Sequence, residues 1–275
     1  MKEIEKPKLK EDISNKKETG KNEQYETMLP EQEMKVYVKY IQNLEKLPEK
    51  KFMIFGISRS GSTLLVNLLN SHPKIHCEGE ILTQRVTNPF LYAKCHQAYT
   101  KKEVYGFKLL VYHLNGVQEI DKPIKFVSRL HQQGYKLIHL KRKNVLRQAL
   151  SGLYARHLGT FHMYTDRANV VKDKMHVNVD KLLKKIKVTE KKGVFEEKVL
   201  KHIPHLSFTY EDDLMNLEVQ QATVDKITNY LEIPNSKIHT DHVKVAPNKY
   251  EDFIENSDEV IEAIENSKYK QFLDY

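Results

Sequence analysis

Residues 51–63, KFMIFGISRSGST, constrain this chain more than any other stretch, and an apolar run, LLVNLLN, follows them directly. KFMIFG is an apolar run too short for a helix, as a strand buried on both faces is. TLLVNLLNSH reads as the helix after it. Between them, Gly56-Ile57-Ser58-Arg59-Ser60-Gly61-Ser62-Thr63 keeps the Gly-x4-Gly-x-Thr spacing of a phosphate-binding (Walker A) loop. In such a loop the glycines let the backbone approach an anion, and the unpaired N–H groups of the helix start point at it. The lysine that serves the β- and γ-phosphates in nucleotide triphosphatases is absent, because Ser62 stands there. A cation enters instead at Arg59, inside the loop.

Further strands are expected at Ile75–Cys77, Val104–Tyr112, 137–140 and 206–210. Helices are expected at 121–133, Val145–Leu158, Asp180–His202 (broken at Gly193), Leu217–Leu231 and Tyr250–Ile264. Strands alternating with helices predict an α/β fold, a P-loop-like parallel sheet flanked by helices on both faces, with ligands at the carboxyl ends of the strands. The loops after Phe55, Leu140 and Phe208 are therefore the ones that carry chemistry. Residues 1–30 hold seven Lys and seven acidic residues and few apolar ones, which predicts a mobile charged arm. A helix over 31–47 follows, with Met34, Val38, Ile41 and Leu44 on one face, and residues 48–275 make up the main domain. The arm is neutral, so the net charge of +8 belongs to the rest of the chain and suits an anionic ligand. No run reaches the ~18 apolar residues of a membrane helix, and no secretory leader is visible. Cys77 and Cys95 lack any disulfide or zinc spacing, which indicates a reducing compartment.

The string FGISRSGSTLLVNLLNSHP resembles the 5′-phosphosulfate loop of sulfotransferases that use 3′-phosphoadenosine 5′-phosphosulfate (PAPS), in the Arg-bearing version of the carbohydrate and tyrosylprotein enzymes. KLIHLKRKNVLRQALSGLYAR is similar to the family's 3′-phosphate segment. It matches at Arg142 and Ser151, with Lys143 the alternative if the spacing is counted as eight, and Arg147 and Arg156 nearby. YEDDL (210–214) resembles the family segment whose Tyr lies near the nucleotide, here Tyr210. The C-terminal stretch VKVAPNKYEDFIENSDEVIEAI is similar to the closing segment, with Lys244 as its candidate. The resemblance spans residues 50–275 and implies a single sulfotransferase-type domain. It implies PAPS as sulfonyl donor, held by Arg59, Ser60, Gly61, Ser62, Thr63, Arg142, Ser151, Tyr210 and Lys244.

It also implies in-line transfer to a hydroxyl. The charge on a sulfonyl group is small enough for side-chain cations to serve without a metal. Arg59 and Lys108 are the candidates to stabilise the transferring group, and Glu80 is the candidate base. Glu78 is its rival two residues earlier; strand alternation would point both carboxylates to the same side, and the flanking Gly79 leaves that geometry open. Burial is expected to raise the pKa of such a base. Among the histidines His72, His76, His96, His113 and His162, His113 is the alternative base, and no histidine spacing suggests a metal site. Residues 81–103 and 157–180, with Tyr92, Tyr99, His162 and Tyr164, are expected to wall the acceptor. The acceptor itself is expected to be a carbohydrate or another hydroxylated metabolite, then a peptidyl tyrosine. No nucleic-acid partner is expected, and the absence of an anchor places the chain in a cytoplasm. Two other classes compete. One is a P-loop kinase or other nucleoside-triphosphate enzyme, with Glu211 and Asp212 as Mg²⁺ ligands. The other is a polyanion binder using the lysines of 181–201.

Overall fold

The computed structural model describes residues 25–159, 173–240 and 247–273, with the backbone of 163–164 and 242–243. Five strands form one sheet in which every pairing is parallel: β1 (Lys50–Gly56), β2 (Ile75–Glu80), β3 (Val104–Leu110), β4 (Tyr135–Lys141) and β6 (His205–Thr209), in the order β2-β3-β1-β4-β6. A two-residue pair, β5 (Met163–Tyr164) with β7 (His242–Val243), stands apart. The central strand is apolar from Phe52 to Phe55 because it is covered on both sides there. Met53 and Phe55 pack with Tyr105, Phe107, Leu109 and Leu137. Phe52 and Ile54 pack with Val104, Ile138 and Leu140 on the opposite face.

Helix α2 (Ser62–Asn70) and helix α8 (Leu217–Tyr230) cover the Phe52 face through Leu65, Leu68, Leu69, Val224 and Ile227. Helices α3 (Pro89–His96) and α4 (Pro123–Gln132), with one end of α6 (Val179–Leu200), cover the Met53 face. Helix α5 (Val145–His157) joins α6 and α9 (Ser257–Glu265) in a third apolar cluster beside the sheet. A short helix, α7 (Tyr210–Asp213), follows β6. Burying ~25 cal/mol for each Å² of apolar area makes this three-part core the main stabilising term.

Several boundaries differ from the sequence reading. Helix α6 runs 22 residues without a break at Gly193. The glycine position is open, with nothing within 4 Å of an added methyl. Its cost of ~1 kcal/mol is outweighed by the buried row Leu182, Ile186, Thr189, Glu196 and Val199. Helix α9 begins at Ser257 rather than Tyr250. Asn256 hooks the chain there, accepting from Val177 N at 2.8 Å and donating to Val177 O at 3.0 Å. The third strand stops at Leu110, where its amide donates to His113 Nδ1 at 3.0 Å and a π-turn takes over. The strand at 206–210 stops at Thr209, whose side chain caps α7.

The first helix, α1, spans Pro30–Gln42 and turns its expected apolar face outward. Met34, Val38, Ile41 and Leu44 are exposed while Glu33 and Val36 are buried. The anchor is polar: the Glu33 carboxylate accepts from Thr87 N and Thr87 Oγ1, both at 3.0 Å. Residues 25–29, assigned by sequence to the arm, are tied to the domain by pairing of Thr27 with Arg85. Among the described residues no helix is long and apolar enough to cross a membrane.

Candidate active site

The loop after β1 turns through two left-handed residues, Arg59 at φ 68° and Gly61 at φ 91°. Gly61 is the N-cap of α2 and supplies no side chain to the helix's first amides, which stay directed into the loop. No other residue fits at Gly61. An added methyl would lie 2.4 Å from Cδ2 of Tyr210, so the ring of Tyr210 presses on the loop backbone. Gln148 Nε2 braces the loop from α5 by donating to Ser58 O at 2.9 Å.

Residues far apart in sequence converge here. Arg59 donates from Nε and Nη2 to Ser151 Oγ at 3.2 and 3.1 Å. Arg142 Nη1 reaches Arg59 O at 3.4 Å, and its guanidinium lies 4.9 Å from the Tyr210 ring centroid. Burial lowers the pKa of both guanidinium groups, and Arg142 lowers that of Arg59 further. Two buried cations crowded together over helix-start amides are a setting for a multiply charged anion. Lys143 is turned away and pairs with Asp212 at the surface, so the structure brings Arg142 and not Lys143 to the loop. Arg147 reaches Pro247 O and stacks on Tyr250 at 3.8 Å, and Arg156 is exposed. Lys244 and His162 lie outside the described residues, as does the side chain of Tyr164.

A second group adjoins the first. Lys108, 3% exposed, donates from Nζ to Thr63 Oγ1 and to Glu80 Oε1, each at 3.0 Å. It is a buried bridge between the phosphate loop and the carboxylate. Glu80 Oε2 accepts from Tyr112 Oη at 2.5 Å and lies 3.4 Å from His113 Nε2. Burial pushes the Glu80 carboxyl up, but His113, Lys108 and Tyr112 together hold it well below the carboxylate range. This corrects the expected raised pKa: the carboxylate is ligated by donors and not merely desolvated. His113 is fully buried, and burial lowers its pKa. Its Nδ1 accepts from Leu110 N, which leaves the proton on Nε2, facing Glu80. His113 therefore orients the carboxylate and offers no lone pair as a base.

Glu78 does not share this site. The register shifts between Glu78 and Glu80, which pair with Phe107 and Lys108. The extra residue, Gly79, sends the two carboxylates to opposite faces, against simple alternation. Glu78 binds His96 Nδ1 at 2.8 Å and accepts from Tyr105 Oη at 2.7 Å. Burial raises its pKa, but hydrogen bonds from His76 and His96 outweigh that and bring it to about 2.

Of the remaining histidines, His72 is buried and bonds Pro234 O at 2.9 Å, and His76 lies on β2. Tyr92 and Tyr99 flank His96 rather than Glu80. Glu211 is taken up at the turn before α5, accepting from Lys143 N and Asn144 N and pairing with Arg142 at 3.5 Å. Tyr112 and Gln148 were not singled out by sequence. Tyr112 precedes His113 in VYHLNG and carries the only prior signal of the two. Lys185 of α6 also reaches this place: a methyl on Gly152 would stand 3.2 Å from its Cε and 3.6 Å from Arg59 Cγ.

A family model described as the sulfotransferase family matches residues 51–208, more than half of the 275. Among solved structures, a sulfotransferase from Alicyclobacillus acidocaldarius is 10% identical, with 74% of this chain and 88% of that one covered and a TM-score of 0.45. Mouse sulfotransferase SULT7A1 complexed with PAP is 14% identical, with 86% and 93% covered and a TM-score of 0.37. No curated protein matches. The matched span runs from the first strand of the parallel sheet into the last and takes in the Gly61 loop, the Lys108 bridge and the Arg142 turn. The chain belongs to the sulfotransferase family.

Proposed function

We propose that the chain transfers a sulfonyl group from PAPS to a hydroxyl of a carbohydrate or another hydroxylated metabolite. The observation that carries this reading is the Lys108 bridge: one buried ammonium touches both Thr63 of the anion loop and Glu80. The residues present suit a nucleotide phosphorylated at two ribose positions. Ser60 Oγ is buried with no hydrogen-bond partner among the described residues, which is costly unless an anion accepts from it. In this reading Arg59, Ser60, Gly61, Ser62 and Thr63 hold the 5′ side. Arg142 and Ser151 hold the 3′ side, and Tyr210 covers the base, with Lys244 a candidate from the closing segment.

PAPS supplies the sulfonyl group and a phosphate leaving group when bound. Glu80 takes the proton of the acceptor hydroxyl. Its basicity rises when Lys108 is drawn from Oε1 toward the donor, since the ammonium is one of the groups that hold its pKa down. Lys108 and Arg59 then stabilise the charge that builds on the transferring group and the leaving oxygen. The working unit is the domain of residues 48–275, acting in the cytoplasm.

Calorimetry tests the reading: adenosine 3′,5′-bisphosphate (PAP) should bind, and ATP–Mg²⁺ should bind more weakly. A screen of labelled PAPS against sugars, lipids, phenols and peptides then finds the acceptor. Preference for ATP–Mg²⁺, or indifference to PAP, overturns it.

A further inference from the structure

The strap formed by residues 25–29 crosses one end of this site. Met28 N donates to Arg85 O and Arg85 N to Glu26 O, both at 2.8 Å. The strap sets Tyr25 on the turn after β3. Its ring centroid lies 6.3 Å from that of Tyr112, with 30° between the planes. A methyl on Gly116 would stand 3.3 Å from both Cε2 and Oη of Tyr25, so the ring rests on the glycine itself. Tyr112 in turn donates to Glu80 Oε2 at 2.5 Å. From the carboxylate outward the order is Glu80, Tyr112, Tyr25.

We infer that this strap is a wall of the acceptor site, with Tyr25 the surface on which an acceptor's ring rests as its hydroxyl docks on Glu80. The inference builds on the role proposed above for Glu80. The Oε1 side of that carboxylate is held by Lys108 and the anion loop, which is the donor's side. His113 is fully buried against the carboxylate and blocks approach through the core. Oε2 carries the Tyr112 hydroxyl at 2.5 Å and faces His113 Nε2 at 3.4 Å, so an acceptor hydroxyl reaches Glu80 by taking the place of Tyr112 Oη, beside the two tyrosine rings. Aromatic faces take flat, hydroxyl-bearing rings by stacking, whether the ring is a phenol or the apolar face of a sugar. The anionic Glu80 favours a neutral ring over one carrying its own carboxylate or sulfate.

The test needs no turnover. PAP is bound first, and 2-naphthol and methyl β-galactoside are then titrated by calorimetry into the PAP-loaded full chain. One of the two probes binds the wild type, and which one binds separates a phenol site from a sugar site. Tyr25→Ala weakens that probe by roughly 5–10-fold, the scale of one aromatic contact, and leaves PAP affinity unchanged. Tyr25→Phe retains binding. Gly116→Ala leaves Tyr25 itself unaltered, pushes its ring by a few tenths of an ångström and weakens the probe to a smaller extent. The inference is overturned if neither probe binds the PAP-loaded wild type, or if Tyr25→Ala and Gly116→Ala bind it as the wild type does. It is also overturned if both variants lose PAP together with the probe, since Tyr25 would then be only structural. A wild type that fails to bind PAP removes the proposed function and this inference together. PAP binding without probe binding removes the inference alone.

Discussion

Replacing Lys108 by methionine isolates the contact on which the proposed chemistry turns. The ammonium is 3% exposed and lies 3.0 Å from a carboxylate that is itself 22% exposed. Removing one partner of a buried ion pair costs ~3–5 kcal/mol. Glu80 keeps Tyr112 and His113 and retains some solvent, so the loss falls at or just below the lower end, and Lys108→Met should destabilise by ~2–3 kcal/mol. For a chain of this size that is roughly a 5–10 °C fall in Tm. Glu80→Gln removes the charge that Lys108 serves, so in the double variant the losses should fall short of additivity by ~1–2 kcal/mol. The sign with pH is fixed. Glu80 is held below its ordinary 4.5, so its contribution is full above that value and lost as pH falls through the folded pKa. The gap between wild type and Lys108→Met should therefore begin to narrow as pH falls below about 4.5 and go on narrowing toward the folded pKa. Denaturant titrations of the four proteins at pH 7 and pH 3.5 read all of this. Additive single losses, or a gap that widens in acid, would refute the bridge.

Other outcomes follow from the same geometry. Glu80→Gln should cut turnover by ~10²–10⁴ while PAP binding survives, measured by labelled transfer and calorimetry. Tyr112→Phe removes one donor from Glu80, so the acid limb of the pH–rate profile should move to higher pH; an unmoved limb would exclude Glu80 as the base. Gly61→Ala forces a methyl into the Tyr210 ring at φ 91° and should abolish PAP binding, which calorimetry on the folded variant checks. Arg142→Lys keeps the charge but loses the fork, so PAP affinity should fall about tenfold while Lys143→Ala leaves it nearly unchanged.

Much of this was legible in the residues. KFMIFG and LIHL read as strands because both faces of the sheet are covered, and Gly56 with Gly61 marked the anion loop. Lys108 and Glu80 were singled out from the residues, and the structure joins them with Thr63 through contacts no spacing rule prescribes, while Arg59 meets Ser151. The second strand was read three residues short, because Glu78, Gly79 and Glu80 carry none of the apolar signal of a strand. Gly79 left the geometry of the two carboxylates open, and only the register shift in the structure shows that they part to opposite faces. Arg142 and Lys143 could not be told apart by counting, since the turn after Lys141 decides which side chain folds inward. Tyr25 gave no local signal, because its place depends on Arg85 and Gly116, both distant in sequence.

The unpaired Gly79 has an electrical consequence. Two carboxylates stacked on one side of a strand compete, and one of them takes up a proton near neutrality. With the hydrocarbon partition of the sheet between them, each is answered by its own set of donors, and neither is a main influence on the other's acidity. One can gain a proton during a reaction cycle while the other stays ionised and the strand stays pinned.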